Sequence, residues 1–233
     1  FRPRTGIGQR LWGSSAVWTS RVNPGINRGY QKHMLRDGHL AVWTGACGPV
    51  IYRGDQYPPE MLGDAFIPEP CGNMIRRQRI TWKDGQPRGD NAYGKTEWLT
   101  SADERFRPVN MYNGPDGCLY IVDMYRGILQ HRIYVTPYLR QQIADRKLAG
   151  PTGLGRIYRV VHENKKPVHA PKMSGQKPVQ WVAALESKNG WVREMAQRLL
   201  IDREAKAAIG LLRQKAVSGK SSLARQHAFW TLE

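Results

Sequence analysis

The sequence has few acidic residues, few cysteines and no long apolar run. Its 233 residues include 19 Asp and Glu against 36 Lys and Arg, so the formal net charge is +17. No apolar stretch approaches the roughly 18 residues that a membrane-spanning helix needs. Residues 1–4 (Phe-Arg-Pro-Arg) have neither a start methionine nor the apolar segment of a signal peptide. The sequence therefore predicts no transmembrane segment, and it predicts a piece of a longer protein.

The excess of basic residues is distributed along the whole chain. Proteins that bind nucleic acid usually collect Lys and Arg on one face, one arm or one helix. The dispersed pattern, which matches no nucleic-acid-binding motif, predicts no nucleic-acid partner. A positive net charge also suits anionic glycans or an acidic membrane surface, so the charge alone leaves the partner class open.

The three cysteines, Cys47, Cys71 and Cys118, are too few for a disulfide framework. None of them lies in a C-x-x-C or C-x-x-C-H pattern, and the six histidines have no metal-ligand spacing. The sequence therefore predicts no metal site on this chain. Two alternatives remain for the thiols: one disulfide between Cys47 and Cys71, or three buried free cysteines.

Residues 1–162 have the pattern of an antiparallel β part, because short β-type runs alternate with Gly, Pro and Asn turns. Strands are predicted at residues 50–53, 65–68, 73–80, 108–112, 118–124 and 156–161. Residues 113–117 (Asn-Gly-Pro-Asp-Gly) predict a tight hairpin. One helix is predicted over residues 136–148, with Thr136 as its cap and Pro137 at the first helical position.

The pattern changes after this β part. Residues 163–178 alternate lysine with proline, which predicts an extended basic linker. Helical periodicity then appears at residues 179–187, 191–203, 205–217 and 223–232. Short helices in pairs are the units of an α-solenoid. Residues 179–233 are therefore predicted to begin a helical-repeat array.

Four segments carry a resemblance to a known family: residues 22–30, 44–55, 66–73 and 103–127. Together they resemble the large membrane-bound dehydrogenases of planctomycetes and verrucomicrobia, and residues 191–200 and 227–232 are similar to that family's first helical repeats. The resemblance implies that residues 1–162 are the last blades of a glucose/sorbosone dehydrogenase-like β-propeller and that residues 179–233 begin HEAT-like repeats. The expected fold class is mainly β with a C-terminal α part.

The resemblance also implies an oxidoreductase. Its substrate would be a sugar or an alcohol, its cofactor pyrroloquinoline quinone (PQQ) with calcium, and its electron acceptor a cytochrome c type haem domain outside this chain. A periplasmic or cell-envelope location follows from the same resemblance. The family's catalytic base and most calcium ligands would lie upstream of Phe1, so the chain is expected to be catalytically incomplete.

Arg105 and Arg107 are the predicted cofactor-binding residues. Two arginines spaced R-x-R along one strand point to the same face, and the carboxylates and quinone oxygens of PQQ need cationic partners. The quinone enzymes have a lysine in the preceding strand, whereas the matching position here is Cys71, whose neutral thiol cannot replace an ammonium. Alternatively, the arginines pair with carboxylates such as Asp103 or Asp123.

A second predicted cluster consists of Asp123, Arg126 and His131, in a stretch that resembles a family signature. Propellers place their sites near the central channel, and these three side chains are either a polar site there or a structural hydrogen-bond network. For the whole chain the alternative function is a non-catalytic β-propeller and helical module. Its basic surface would then bind a polysaccharide or a protein partner.

Overall fold

The computed structural model describes residues 16–166 and 168–233. The first fifteen residues of the predicted β part, and Pro167 of the predicted linker, lie outside the described residues. Within the described ranges, three β-sheets come first and most of the helices follow them. The expectation of a mainly β fold with a C-terminal α part is confirmed at this level.

The first hairpin is short. Strand β1 (Leu35–Arg36) pairs antiparallel with β2 (His39–Leu40). Asp37 and Gly38 form the turn, with φ angles of 50° and 77°. A two-residue Asp-Gly turn supplies the positive φ at both central positions that a right-twisted hairpin requires. The sequence pattern missed this hairpin because each strand has only two residues.

The largest sheet is an antiparallel meander. Its strands are β3 (Val50–Ile51), β4 (Ala65–Glu69), β5 (Met74–Lys83) and β6 (Gln86–Asn91), hydrogen-bonded in that order, and β7 (Leu99–Thr100) pairs with the start of β5. All of β4 and the first half of β5 are buried, whereas the second half of β5 is largely exposed. The buried half therefore positions side chains in the interior of the sheet region.

The third sheet contains β8 (Pro108–Asn113), β9 (Leu119–Asp123) and β10 (Arg156–Val160), in the order β10-β9-β8. The hairpin predicted at residues 113–117 is confirmed. The Gly114 N–H donates to the Cys118 carbonyl at 2.7 Å, and Gly117 has a φ of 80°. Burial along β9 alternates residue by residue, as expected for a strand with one face inside.

The helix predicted over residues 136–148 is also confirmed, and it lies between β9 and β10 in the chain. Helix α1 (Pro137–Asp145) follows Thr136, whose Oγ1 accepts a hydrogen bond from the Leu139 N–H at 3.2 Å. The helix ends three residues before the predicted end at 148. Lys147, with a φ of 52°, turns the chain away from the helix axis.

The C-terminal helices are α2 (Pro178–Ala184), α3 (Gly190–Asp202), α4 (Ile209–Ser218) and α5 (Ser222–Leu232). A short 3-10 helix, Lys206–Ala208, precedes α4, so that helix begins later than the pattern predicts. The four helices share one apolar core that includes Trp181, Leu185, Leu200 and Leu212. No helix of the described chain is long and apolar enough to cross a membrane.

The described chain forms two compact units. The first contains the described residues up to Tyr52, Gly63–Tyr112 and Tyr120–Arg159, and the second contains Arg53–Leu62, Asn113–Leu119 and Val160–Glu233. Two loops from the predicted β part thus belong to the helical unit. Within that unit, the Gly190 N–H donates to the Arg53 carbonyl at 2.7 Å, and the Asn189 side chain donates to the Pro115 carbonyl at 3.0 Å.

Candidate functional site

Arg107 lies at the centre of the predicted site and is 4% exposed. Its guanidinium donates to three backbone carbonyls, from Nη1 to Pro70 at 2.8 Å, from Nε to Arg126 at 2.9 Å and from Nη2 to Gly127 at 2.8 Å. Its backbone N–H donates to Oδ1 of Asp123 at 2.7 Å. Burial lowers the pKa of the guanidinium. Arg107 therefore links the turns after β4 and β9 to the start of β8 by hydrogen bonds.

Arg105 is half-buried and has different partners. Its Nη2 donates to the carbonyls of Lys147 at 3.2 Å and Gly150 at 2.8 Å. Its backbone N–H donates to Oδ1 of Asp103 at 2.8 Å, and the other oxygen of that carboxylate accepts from the Tyr125 hydroxyl at 2.8 Å. Arg105 thus links the turn before β8 to the segment that follows α1 by hydrogen bonds.

The expected strand geometry of the two arginines is wrong. Strand β8 begins at Pro108, so Arg105 and Arg107 both precede it and lie in the turn that leads into it. The spacing rule for side chains on one face of a strand does not apply there. Their guanidinium groups donate to separate sets of backbone carbonyls, so each arginine has a structural role of its own.

The second predicted cluster does not form as expected. Asp123 is buried, and its Oδ1 accepts from the N–H groups of Arg107 and Tyr125. Arg126 contributes its backbone carbonyl to Arg107, while its side chain is exposed. His131 is exposed as well; its ring accepts from the Ile133 N–H at 3.4 Å at the start of a 3-10 helix. The described contacts join Asp123 and Arg126 to Arg107 and leave His131 outside.

Glu69 is a buried carboxylate that the sequence pattern did not identify. It lies at the end of β4 with 0% exposure. Four groups donate to it: the N–H and hydroxyl of Thr44 and the N–H groups of Gly45 and Cys71. Burial raises the pKa of Glu69, against the effect of these donors. A charged residue inside an otherwise buried strand was the available signal.

The thiol at the expected lysine position lies in this network. Cys71 is electrostatically coupled to both Glu69 and Arg107. Burial, reinforced by the negative charge of Glu69, raises the pKa of Cys71 and of Cys47. Both thiols are therefore neutral near pH 7. All three cysteines are free, so the disulfide alternative is wrong. The alternative of three buried free cysteines is correct in that the thiols are free, but only Cys118 is fully buried, and Cys47 and Cys71 are half-buried.

Two further arginines surround Glu104. Nη2 of Arg21 lies 3.4 Å from the Glu104 carboxylate, and Arg146 pairs with the same carboxylate. Arg21 also donates to Oδ1 of Asn73 at 3.2 Å. Gly25 leaves room for this arrangement, because a Cβ there would be 2.9 Å from Oε1 of Glu104. Burial lowers the pKa of both arginines.

These groups do not fit a site for an anionic quinone. The number of positive charges equals the number of negative charges. Arg21 and Arg146 both lie against Glu104, and Arg107 lies near Glu69 and Asp123. Oδ2 of Asp123 is buried and has no hydrogen-bond partner among the described residues, which disfavours another negative group nearby. The ammonium expected in the family is replaced by the neutral Cys71. No chemical step through PQQ is therefore derived from these residues.

The arrangement is a charge-balanced hydrogen-bond network that joins the predicted motifs. Residues 12–164 of the sequence match the family DUF7133, described as a domain of unknown function. The chain belongs to the DUF7133 family. The DUF7133 match covers more than half of the chain and contains the entire network around Arg107. Neither the comparison with curated proteins nor the comparison with solved structures gave a match.

Proposed function

We propose that this chain is part of a larger oxidoreductase that acts on a sugar or an alcohol. In this proposal, residues up to 162 form the last blades of a β-propeller, and residues 179–233 begin a HEAT-like array. The chain supplies a rigid scaffold to the enzyme. The redox cofactor, its calcium and the haem c domain are held by other parts of the protein, in the periplasm or at the cell envelope.

The meander of β3, β4, β5 and β6 is the observation that carries this proposal. A propeller blade is a four-stranded antiparallel sheet, and these strands are hydrogen-bonded in chain order within one sheet. The next sheet, β8 to β10, is also antiparallel and is followed by helices that share one apolar core. This order of elements agrees with the family that the sequence motifs resemble.

The network around Arg107 supports a scaffold role. Arg107 donates to carbonyls from two separate turns, and Asn73 donates to the carbonyls of Glu104 at 3.1 Å and Phe106 at 2.7 Å. Interior hydrogen bonds of this kind restrict the geometry of the segments that they join. The motif residues of this chain therefore stabilise the fold of the sheet region. In this role they support a cofactor site elsewhere in the protein without contacting the cofactor.

The proposal is tested on the full-length protein purified from its source. We expect an intact mass well above 26.5 kDa, a haem Soret band, and reduction of an artificial electron acceptor when sugars or alcohols are added. A protein with no redox cofactor and no turnover on a panel of both substrate classes would contradict the proposal. The absorption spectrum and the acceptor assay measure these two properties separately.

The scaffold role has its own test in the same full-length protein. We expect Arg105→Gln to leave the amount of bound cofactor per protein unchanged, because its guanidinium donates to the carbonyls of Lys147 and Gly150. Arg28→Gln is the matched control, since Arg28 is exposed. A loss of bound cofactor of about tenfold or more in Arg105→Gln alone would place Arg105 at the cofactor.

A further inference from the structure

A cleft of about 420 Å³ lies beside the β1–β2 hairpin, within the first compact unit. This volume falls in the range of roughly 300–1,000 Å³ that is typical of small-molecule sites. None of the residues of the Arg107 network lines it. Its wall includes Trp18, Arg36, Asp37, His39, Lys95 and Glu97. The cleft is therefore separate from the site discussed above and from the proposed scaffold role.

The hairpin brings two of these side chains together. Arg36 and His39 are directly opposite each other in the register of β1 and β2. Residues directly opposite in an antiparallel pair project from the same face. Nδ1 of His39 lies 3.0 Å from the Thr19 carbonyl, which fixes the orientation of the ring. One wall of the cleft is thus set by the Asp37-Gly38 turn.

Two cations lie near a single indole ring. The Arg36 guanidinium carbon is 4.1 Å from the Trp18 ring centroid, and the Lys95 ammonium is 5.9 Å from it. Nη2 of Arg36 also donates to the Val17 carbonyl at 3.1 Å. The Trp18 ring and the Val17 carbonyl hold the guanidinium in place. Its other N–H groups have no hydrogen-bond partner in the part of the chain that the structure describes, so they can donate to a ligand. A preorganised donor loses less conformational freedom when it binds an anion.

These two cations have no carboxylate partner of their own. Among the described residues, none lies within ion-pair distance of Arg36 or Lys95. Glu97 has other partners. It pairs with Arg76, and the side chains of Glu97 and Arg76 are 0% and 2% exposed. It also accepts a hydrogen bond from the backbone N–H of Trp18 at 3.0 Å. Asp37 is the other carboxylate in the wall. With Glu97 neutralised by Arg76, the described residues of the wall have two positive groups, Arg36 and Lys95, and one negative group, Asp37.

We propose that this cleft binds an acidic carbohydrate, such as a uronic acid unit of a polysaccharide. Arg36 and Lys95 bind the sugar carboxylate through charge-assisted hydrogen bonds. Asp37 accepts hydrogen bonds from sugar hydroxyls, and the hydroxyl groups of Ser20 and Thr100 in the wall add further polar contacts. Inorganic phosphate has no sugar hydroxyls for Asp37 to bind and carries more negative charge than a single uronate group, so Asp37 repels it more strongly.

The test is calorimetric titration of the 233-residue chain. The probes are trigalacturonic acid, neutral maltotriose and inorganic phosphate, each at about 50 mM and about 300 mM salt. We expect trigalacturonic acid to bind about tenfold or more tightly than either other probe, and to weaken at the higher salt. Equal binding of maltotriose, tighter binding of phosphate, or no binding of trigalacturonic acid would overturn the proposal.

Three charge variants locate the binding. Arg36→Gln and Lys95→Gln should each weaken trigalacturonic acid binding by about fivefold to tenfold. Lys83→Gln is the matched control, because Lys83 is exposed at the end of β5 and outside the cleft wall, and it should bind as the unmodified chain does. If all three variants weaken binding equally, the binding comes from attraction to the overall positive charge of the chain, and the proposed site is wrong.

Asp37→Asn separates a sugar acid from a simple anion. Asparagine tolerates the positive φ of this turn, so the hairpin is retained. We expect phosphate to bind more tightly to Asp37→Asn and trigalacturonic acid to gain less, because the neutral amide oxygen is a weaker acceptor for the sugar hydroxyls than the carboxylate. An equal gain for both probes would show that the cleft recognises charge alone, and the carbohydrate assignment would fail.

Discussion

The interiors of the two compact units are built from different chemistry. The sheet unit buries arginines, among them Arg76, Arg77 and Arg107, together with the carboxylates of Asp64 and Glu69. The helical unit buries mainly apolar side chains in one cluster between its helices. The sheet unit therefore adds directed polar contacts to an apolar cluster that includes Leu40 and Met74, whereas the helical unit depends mainly on apolar area removed from water.

This difference predicts which amino-acid substitutions each unit tolerates. A buried guanidinium is stable only when its partners are all present, because an unpaired charge or carbonyl inside a protein is costly. Apolar packing has no directional partners and accepts replacements of similar volume. The sheet unit should therefore be sensitive to the chemistry of a single group, and the helical unit to the volume of a side chain.

The largest expected effect is that of Arg107→Ala. The carbonyls of Pro70, Arg126 and Gly127 would lose their donor while remaining inside, so we expect the free energy of unfolding of the sheet unit to fall by about 3–5 kcal/mol. Urea denaturation measures the loss, and amide hydrogen exchange in β8 and β9 assigns it to this unit. Arg107→Met keeps an unbranched stem but no donor, and its free energy of unfolding should fall nearly as far.

The two Arg107 variants also test the contrast between the two units, which would fail if the Arg107 position tolerated an apolar side chain as an apolar core does. A loss below about 1.5 kcal/mol for Arg107→Met, the usual limit for a volume-conserving apolar swap, would mean that the three carbonyls do not need the guanidinium. Arg105→Ala is the matched control. Its partners are nearer the surface, and the expected loss is about 1 kcal/mol.

Leu185→Ala is the corresponding change in the helical unit. Leu185 follows α2 and is fully buried in the apolar core, so its truncation should lower the free energy of unfolding by about 2–5 kcal/mol. Leu185→Met should cost less than about 1.5 kcal/mol because the volume is retained. Urea denaturation with hydrogen exchange in α2 and α3 measures both. A similar loss in the two variants would contradict the idea that volume governs this core.

The same contrast explains which elements the sequence could predict. Helices α2 to α5 were located because apolar residues recur at helical spacing, and that spacing is all that their core needs. The hairpin at residues 113–117 was located because its glycines permit backbone angles that other residues resist. The short hairpin β1–β2 and strand β7 have two residues each, which is too few for any periodicity.

The site residues were harder to predict than the elements. The sequence pattern predicts Arg105 and Arg107 on one strand, whereas both precede β8, and their contacts are to carbonyls far away in the chain, such as those of Pro70 and Gly150. Backbone acceptors leave no trace in side-chain spacing. The cleft beside Trp18 was missed for a related reason, since Arg36 and Lys95 are brought together by a hairpin and a separate loop.

The smallest expected effect, which depends on pH, concerns Glu186 in the helical unit. Partial burial, which would raise its pKa, is outweighed by the Lys215 ammonium and the N–H groups of Lys220 and Ser221, and the pKa lies below its ordinary value of 4.5. A carboxyl with a lowered folded-state pKa stabilises the protein above its unfolded value, and that stability is lost as the pH falls through the folded-state pKa.

Glu186→Gln removes this dependence while keeping the shape of the side chain. From about pH 5 to about pH 3, the melting temperature of the helical unit should fall less in Glu186→Gln than in the unmodified chain. Near pH 7 the loss of stability should stay within about 1 kcal/mol, because the pair with Lys215 is partly solvated. Glu163→Gln, at an exposed position before α2, is the control and should match the unmodified chain throughout. If Glu186→Gln follows the unmodified pH curve, acid sensitivity in this unit has another source, and the helical unit depends on apolar packing even more completely than its contacts indicate.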